Sequence, residues 1–127
     1  MKLLLDTHVF LWFISGDKRL SNALQQSIRD TSNEVYLSVA SVWEAIIKSQ
    51  LGKLVLPEPA ETYLPKQRER HLIASLSIEE AHVAQLAKLP SLHRDPFDRI
   101  LVCQALQQGM TIVTLDENVR AYPVKVM

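Results

Sequence analysis

Short apolar runs that each stop on an acid or a hydroxyl, with a helical pattern starting at once behind them, constrain this chain more than any other feature. Lys2 to Leu5 runs into Asp6-Thr7, and Met110 to Leu115 runs into Asp116. Glu34 to Ser38, with Val35, Tyr36 and Leu37, has the β-branched and aromatic content of a strand. It leads into Ser41-Val42-Trp43-Glu44, a capping-box pattern that predicts a helix from about Val42 to a stop at Gly52. Strand followed by helix, repeated, predicts an α/β fold with a largely parallel sheet, because parallel strands need crossover connections. The 127 residues, 47% of them apolar, predict one domain spanning 1–127 with a single core.

The remaining elements follow from capping and breaker residues. His8 to Ser15 is apolar nearly all round and meets Gly16 at its end, and Ser21 caps a helix through about Arg29. Ala60 to Arg70 is helical in composition but is expected to be interrupted at Pro65. His71 to Leu76 reads as a third strand, Ser77-Ile78-Glu79-Glu80 as a second capping box, and Val124 to Met127 as a final strand. Asp95-Pro96 opens a long helix that Gly109 closes.

Composition excludes several function classes. Three glycines leave no material for a phosphate-cradling loop or a dinucleotide fingerprint. One cysteine, Cys103, within an apolar helical pattern, allows neither a disulfide framework nor a thiolate metal site. The early apolar runs are too short for a secretory leader or a membrane span, so a cytoplasmic location is expected. Basic and acidic residues balance at 14 each. If Asp6, Glu44, Asp95, Asp98 and Asp116 gather in one site, however, 14 basic residues face only nine acids elsewhere, which suits an anionic partner.

Each acid has an ordinary explanation. Asp6 caps the first helix, Glu44 pairs with Lys48 at i,i+4, Asp95 and Asp98 are N-cap and third residue of the long helix, and Asp116 caps the next turn. As a set they share one address. Asp6 and Asp116 follow strands, whereas Glu44 and Asp98 fall in first turns of helices, and in a parallel sheet these positions share the edge where such folds bind ligands. Asp98 also lies on the stripe of Leu101, Val102 and Ala105, facing the core where a surface cap would not. Two carboxylates about 5 Å apart at an effective dielectric near 20 repel by roughly 3 kcal/mol, so several together call for a cation or a proton. Oxygen ligands without His or Cys select a hard ion, Mg²⁺ or Mn²⁺, and such an ion commonly bridges phosphate oxygens, pointing to phosphodiester hydrolysis.

Four motifs in order resemble the PIN-domain ribonucleases, and within them the VapC-type toxins of type II toxin-antitoxin modules: Leu5-Asp6-Thr7-His8, then Ser38 with Ser41-x-x-Glu44, then His93-Arg94-Asp95-Pro96-Phe97-Asp98-Arg99 with Ala105, then Val113-Thr114-Leu115-Asp116. The resemblance covers essentially the whole chain. It implies a three-layer α/β/α fold and a Mg²⁺- or Mn²⁺-dependent endoribonuclease with catalytic Asp6, Glu44, Asp98 and Asp116. Asp6 and Asp98 would be principal metal ligands; Glu44 and Asp116 would complete the site directly or through water, Asp116 counting among the metal ligands. It further implies that Thr7 and Thr114 orient carboxylates and that Asp95 is an N-cap tuning the site; Arg99, next to Asp98, is together with Arg94 a candidate phosphate contact by its charge and position. Partners implied are RNA, a VapB-type antitoxin and a second copy of the chain, with no DNA binding by the chain itself.

Lys66, Arg68, Arg70 and His71 are weaker candidates for phosphate contacts, because Glu69 interleaves among them and a solvated charged face explains them better. The histidines lack the paired spacing of metal ligands. Trp12 and Trp43 sit in apolar helical patterns as core or dimer contacts. Two other functions would place acids at strand ends. A phosphatase or receiver domain needs Asp-x-Asp or paired acids where this chain has Asp6-Thr7-His8, and an inactive PIN-like binding module would not need its quartet intact.

Overall fold

The computed structural model describes residues 1–127. Four strands, β1 (Lys2–Leu5), β2 (Glu34–Ser38), β3 (Ala74–Leu76) and β4 (Thr111–Val113), form one sheet in the order β3-β2-β1-β4 with every neighbouring pair parallel. Between β1 and β2 lie α1 (Thr7–Ser15) and α2 (Asn22–Arg29); between β2 and β3 lie α3 (Val39–Gln50) and α4 (Ala60–Arg70). The path from β3 to β4 carries α5 (Glu80–Gln85), a 3₁₀ turn at Leu86–Lys88 and α6 (Pro96–Gln108), and α7 (Glu117–Arg120) follows β4.

The strand order reverses at β1: the chain steps outward to β2 and β3, then returns to the opposite side of β1. Crossovers of one hand put the helices of those two excursions on opposite faces of the sheet. The packing obeys this. Leu3, Leu5, Val35, Leu37 and Val113 join Phe10, Ile28, Ala45 and Leu64 in one buried cluster, while Leu4 and Ile112 join Ile100, Leu101, Val102, Cys103 and Val119 in another. Alternate strand residues thus feed alternate faces, and the molecule is a three-layer sandwich. The single core expected from length is in fact two, because a sheet buried on both sides has a core on each. Leu3, Leu4 and Leu5 are all fully buried, which explains why β1 is continuously apolar and does not alternate.

Several helix boundaries differ from expectation for local reasons. The α3 helix begins at Val39, not Val42, because the Ser38 hydroxyl accepts from the Ala40 amide; Ser41 and Glu44 are therefore inside the helix and buried, and their capping-box role does not occur. At α5 the shift is the other way: the helix starts at Glu80, and the capping box is formed by Glu79 and His82 in place of Ser77 and Glu80, the Glu79 amide donating to His82 Nδ1. Pro65 does not interrupt α4, which runs from Ala60 to Arg70. Its missing N–H removes one hydrogen bond, and burial of Ala60 and Leu64 holds the helix across it. The expected last strand is reduced to an isolated parallel bridge, Ile112 with Val126. Cys103 is a buried free thiol, as expected. No helix is long and apolar enough to cross a membrane.

Candidate active site

The C-terminal ends of the four strands define one rim, and the strand reversal opens a crevice there between β1 and β4. Ligands in open parallel sheets bind at such a reversal. Asp6 leaves β1 into this crevice, its amide donating to the Val113 carbonyl at 3.1 Å. Asp6 and Asp116 line the same small cleft of about 120 Å³, with His8, Trp12 and Leu115.

Asp6, Asp95 and Asp116 each keep a capping role at the start of a helix. Asp6 Oδ1 accepts from the Val9 amide at 2.9 Å, and Asp6 Oδ2 accepts from the Thr114 hydroxyl. Thr114 Oγ1 in turn accepts from the Asp116 amide at 3.0 Å, so one threonine links the two strand-end acids. Asp116 Oδ1 accepts from Asn118 N at 2.9 Å. Asp95 Oδ1 caps α6 by accepting from Phe97 N and Asp98 N, which makes Asp95 the N-cap and Asp98 the third helical residue.

Glu44 is the most confined member, 2% exposed. Thr7 Oγ1 lies 2.7 Å from Glu44 Oε1 and 2.9 Å from Ser41 Oγ; its single proton goes to the carboxylate, and Ser41 donates to Thr7. Lys48 pairs with Glu44 Oε2, as the i,i+4 spacing suggested. Both Glu44 oxygens are thereby engaged, whereas Asp98 Oδ1 and Asp116 Oδ2 accept no hydrogen bond from the protein.

Electrostatics link the acids. Burial raises the Asp6 carboxyl above its ordinary 3.8; the Thr114 and Val9 hydrogen bonds oppose this, and the Asp116 charge adds to it. Asp98 is pushed up to about 6, first by burial and then by Asp95, Asp116 and Glu44, with the His93 contact opposing. The Asp116 charge thus bears on both the Asp6 and the Asp98 carboxyl. The donor set, oxygen-only and short of positive charge, fits a hard divalent cation. No three His, Cys, Asp or Glu side chains stand close enough to enclose an ion by themselves. A Mg²⁺-type ion does not need them to, since it is usually held by one or two carboxylates together with water and substrate phosphate.

Other residues fall outside expectation. Arg99 does not point freely into the crevice: its NH1 donates to the Pro90 carbonyl and to the Tyr122 hydroxyl, each at 2.9 Å. Arg94 and Arg99 nevertheless line an open groove of about 560 Å³ with Ser91, Leu92 and His93. Lys66, Arg68, Arg70 and His71 precede or just follow the end of α4 and lead into the start of β3, so the group lies toward the opposite rim. Arg68 caps the Ile73 carbonyl, Lys66 pairs with Glu58, and His71 packs on Phe13. Trp43 is not a core residue of this chain; it is 56% exposed and meets Phe97 edge-on at 5.0 Å. The residue that sequence reading passed over is His93, whose Nε2 lies 3.2 Å from Asp98 Oδ2. Its only signal was a position five residues before Asp98, within the same His-Arg-Asp-Pro-Phe-Asp run.

Comparison with known proteins gives this geometry a context. The sequence pattern of the PIN domain matches residues 3–125. Over 121 residues, 94% of this chain, it is 28% identical to Ribonuclease VapC22 of Mycobacterium tuberculosis and covers 91% of that protein. Over 63 residues, 50% of the chain, it is 40% identical to Ribonuclease VapC16 of the same organism, covering 45% of it, less than half of that relative's length. Two similar solved structures are VapBC2 from Rickettsia felis bound to a promoter DNA fragment and DNA-bound VapBC from Salmonella typhimurium. The first aligns with a TM-score of 0.70 at 14% identity, covering 100% of this chain and 98% of that one. The second gives 0.68 at 17%, covering 100% and 97%. At such identities the likeness speaks for the fold, and it agrees with the sequence match that spans nearly every residue: the chain belongs to the PIN-domain family.

Proposed function

We propose that this chain is a metal-dependent endoribonuclease, the toxin of a VapBC-type toxin-antitoxin pair, hydrolysing RNA phosphodiester bonds in the cytoplasm. The observation that carries the reading is the meeting of acids at the strand reversal, where Thr114 joins Asp6 to Asp116 and both line one cleft; burial first, and the Asp116 charge after it, raise the Asp6 and Asp98 carboxyls. The similarity to two VapC ribonucleases supports the substrate class, and the likeness to VapBC complexes supports a VapB-type antitoxin as partner. A homodimer, with DNA contacts left to the antitoxin, completes the proposal.

Asp6, Asp98 and Asp116 are the residues that would hold Mg²⁺ or Mn²⁺, directly or through water. When bound, the ion supplies Lewis acidity toward the scissile phosphate and neutralises charge that develops on it. The chain's own part is positioning. Thr114 and the Val9 amide fix the Asp6 carboxylate, and Asp95 fixes the first turn of α6 that carries Asp98. Glu44, held by Thr7 and Lys48, shapes the back of the site and adds negative charge without a free oxygen of its own. Asp95 and Arg99 act on the frame of the site, and Arg99 lines the groove beside His93.

The test is cleavage of a structured RNA by the purified chain with Mg²⁺ or Mn²⁺ and with EDTA, alongside Asp98→Asn. Cleavage that requires the ion and disappears in the variant is expected. Equal cleavage by both proteins, or cleavage that survives EDTA, would overturn the reading.

A further inference from the structure

We infer that His93 is a positioning residue for Asp98, locked in one tautomer by Tyr122 and Arg99; its consequence for cleavage rests on the ribonuclease reading above. Three separate pieces of chain meet here: the segment before α6, the first turn of α6 and the residues after α7. Tyr122 is 3% exposed, and its ring centroid lies 5.3 Å from that of His93.

The proton positions follow from hydrogen-bond capacity. A tyrosine hydroxyl has one proton to give and two lone pairs to fill. Arg99 NH1 donates to Tyr122 Oη at 2.9 Å, and the His93 amide donates to it at 3.3 Å, which fills both lone pairs. The hydroxyl proton is left for His93 Nδ1, 2.8 Å away. Arg99 NH1 cannot turn aside, because its second proton is on the Pro90 carbonyl. Nδ1 is therefore an acceptor, the ring proton sits on Nε2, and Nε2 donates to Asp98 Oδ2.

A carboxylate torsion is broad and nearly two-fold, so a free Asp98 would swing between equivalent orientations. The His93 donor holds Oδ2 and leaves Oδ1 as the oxygen presented to an ion. Hydrogen-bonded partners behind a metal ligand typically matter by 10–100-fold in affinity or activity.

The decisive measurements use the full chain. Long-range ¹⁵N–¹H spectra of the ion-free protein should show His93 with its proton on Nε2 and a bare Nδ1, and Tyr122→Phe should move the Nδ1 resonance by removing its only donor. Calorimetric titration with Mn²⁺ should show affinity falling by roughly 10–100-fold in His93→Leu. His93→Gln, whose terminal amide can replace the Nε2 donor, should recover most of it. Should the leucine variant fail to fold, the glutamine and phenylalanine variants still decide the matter. A wild-type ring protonated on Nδ1, or Mn²⁺ affinity unchanged in His93→Leu, would overturn the inference. A wild type that binds Mn²⁺ but cleaves no RNA would count against the ribonuclease reading alone.

Discussion

Asp98→Asn should raise the thermal stability of the ion-free protein while it abolishes cleavage. Ionised Asp98 is costly in the fold: its carboxyl is pushed up to about 6 from 3.8, by burial first and by three neighbouring acids after that. A shift of that size corresponds to about 3 kcal/mol against the charged form. With the side chain 15% exposed, water screens little of it. Asparagine keeps an oxygen for His93 and removes the charge, losing about 0.3–1 kcal/mol of favourable interaction with the α6 N-terminus. The net gain is about 2 kcal/mol, which for a chain of this length raises the melting temperature by roughly 6–10 °C. Melting curves in EDTA at neutral pH measure it. Because the folded pKa lies above the unfolded one, the native state binds more protons between them, so wild-type stability increases as pH falls through about 6 toward 3.8. The gap between the two proteins should therefore close on acidification. A variant that melts at or below wild type at neutral pH, or a gap indifferent to pH, would refute the account.

Two further substitutions probe the remaining carboxylates. Thr114→Val removes the hydroxyl that serves Asp6 and Asp116 and should cost about 1.5–3 kcal/mol in urea unfolding, the range for a hydrogen bond to a charged group. Lys48→Met leaves Glu44 buried with Thr7 alone. The expected loss is about 1–3 kcal/mol, below the value for a fully buried pair because the lysine side chain is 35% exposed. Adding Glu44→Gln to Lys48→Met should return most of that stability, and failure of this rescue would show that the pair does not act through charge.

The sheet was legible because strand ends carried acids and helix ends carried Gly16, Gly52 and Gly109, all three of which adopt positive φ. Asp6, Asp95 and Asp116 were placed correctly as caps by local chemistry alone. Errors arose where two local signals competed. Ser38 and Ser41 are both good N-cap residues, and the choice fell to the depth at which β2 ends, which is a tertiary matter. The reach of the acids was readable from strand-to-helix order, since parallel topology fixes which ends share a rim. His93 and Tyr122 were not, because their meeting across 29 residues depends on where the chain runs after α7. Arg68 and His71 were candidates for the site by charge, with a solvated face the favoured reading, and the direction of β3 carries them toward the other rim.

Strand β1 is bonded to a neighbour along both edges and packed on both faces. Asp6 inherits that immobility and cannot follow an arriving ligand. Any tightening of the pocket around its cargo falls to the parts mounted on helix starts, the first turn of α6 and the turn into α7. The resting and loaded forms should then share an unmoving floor and differ only at its walls.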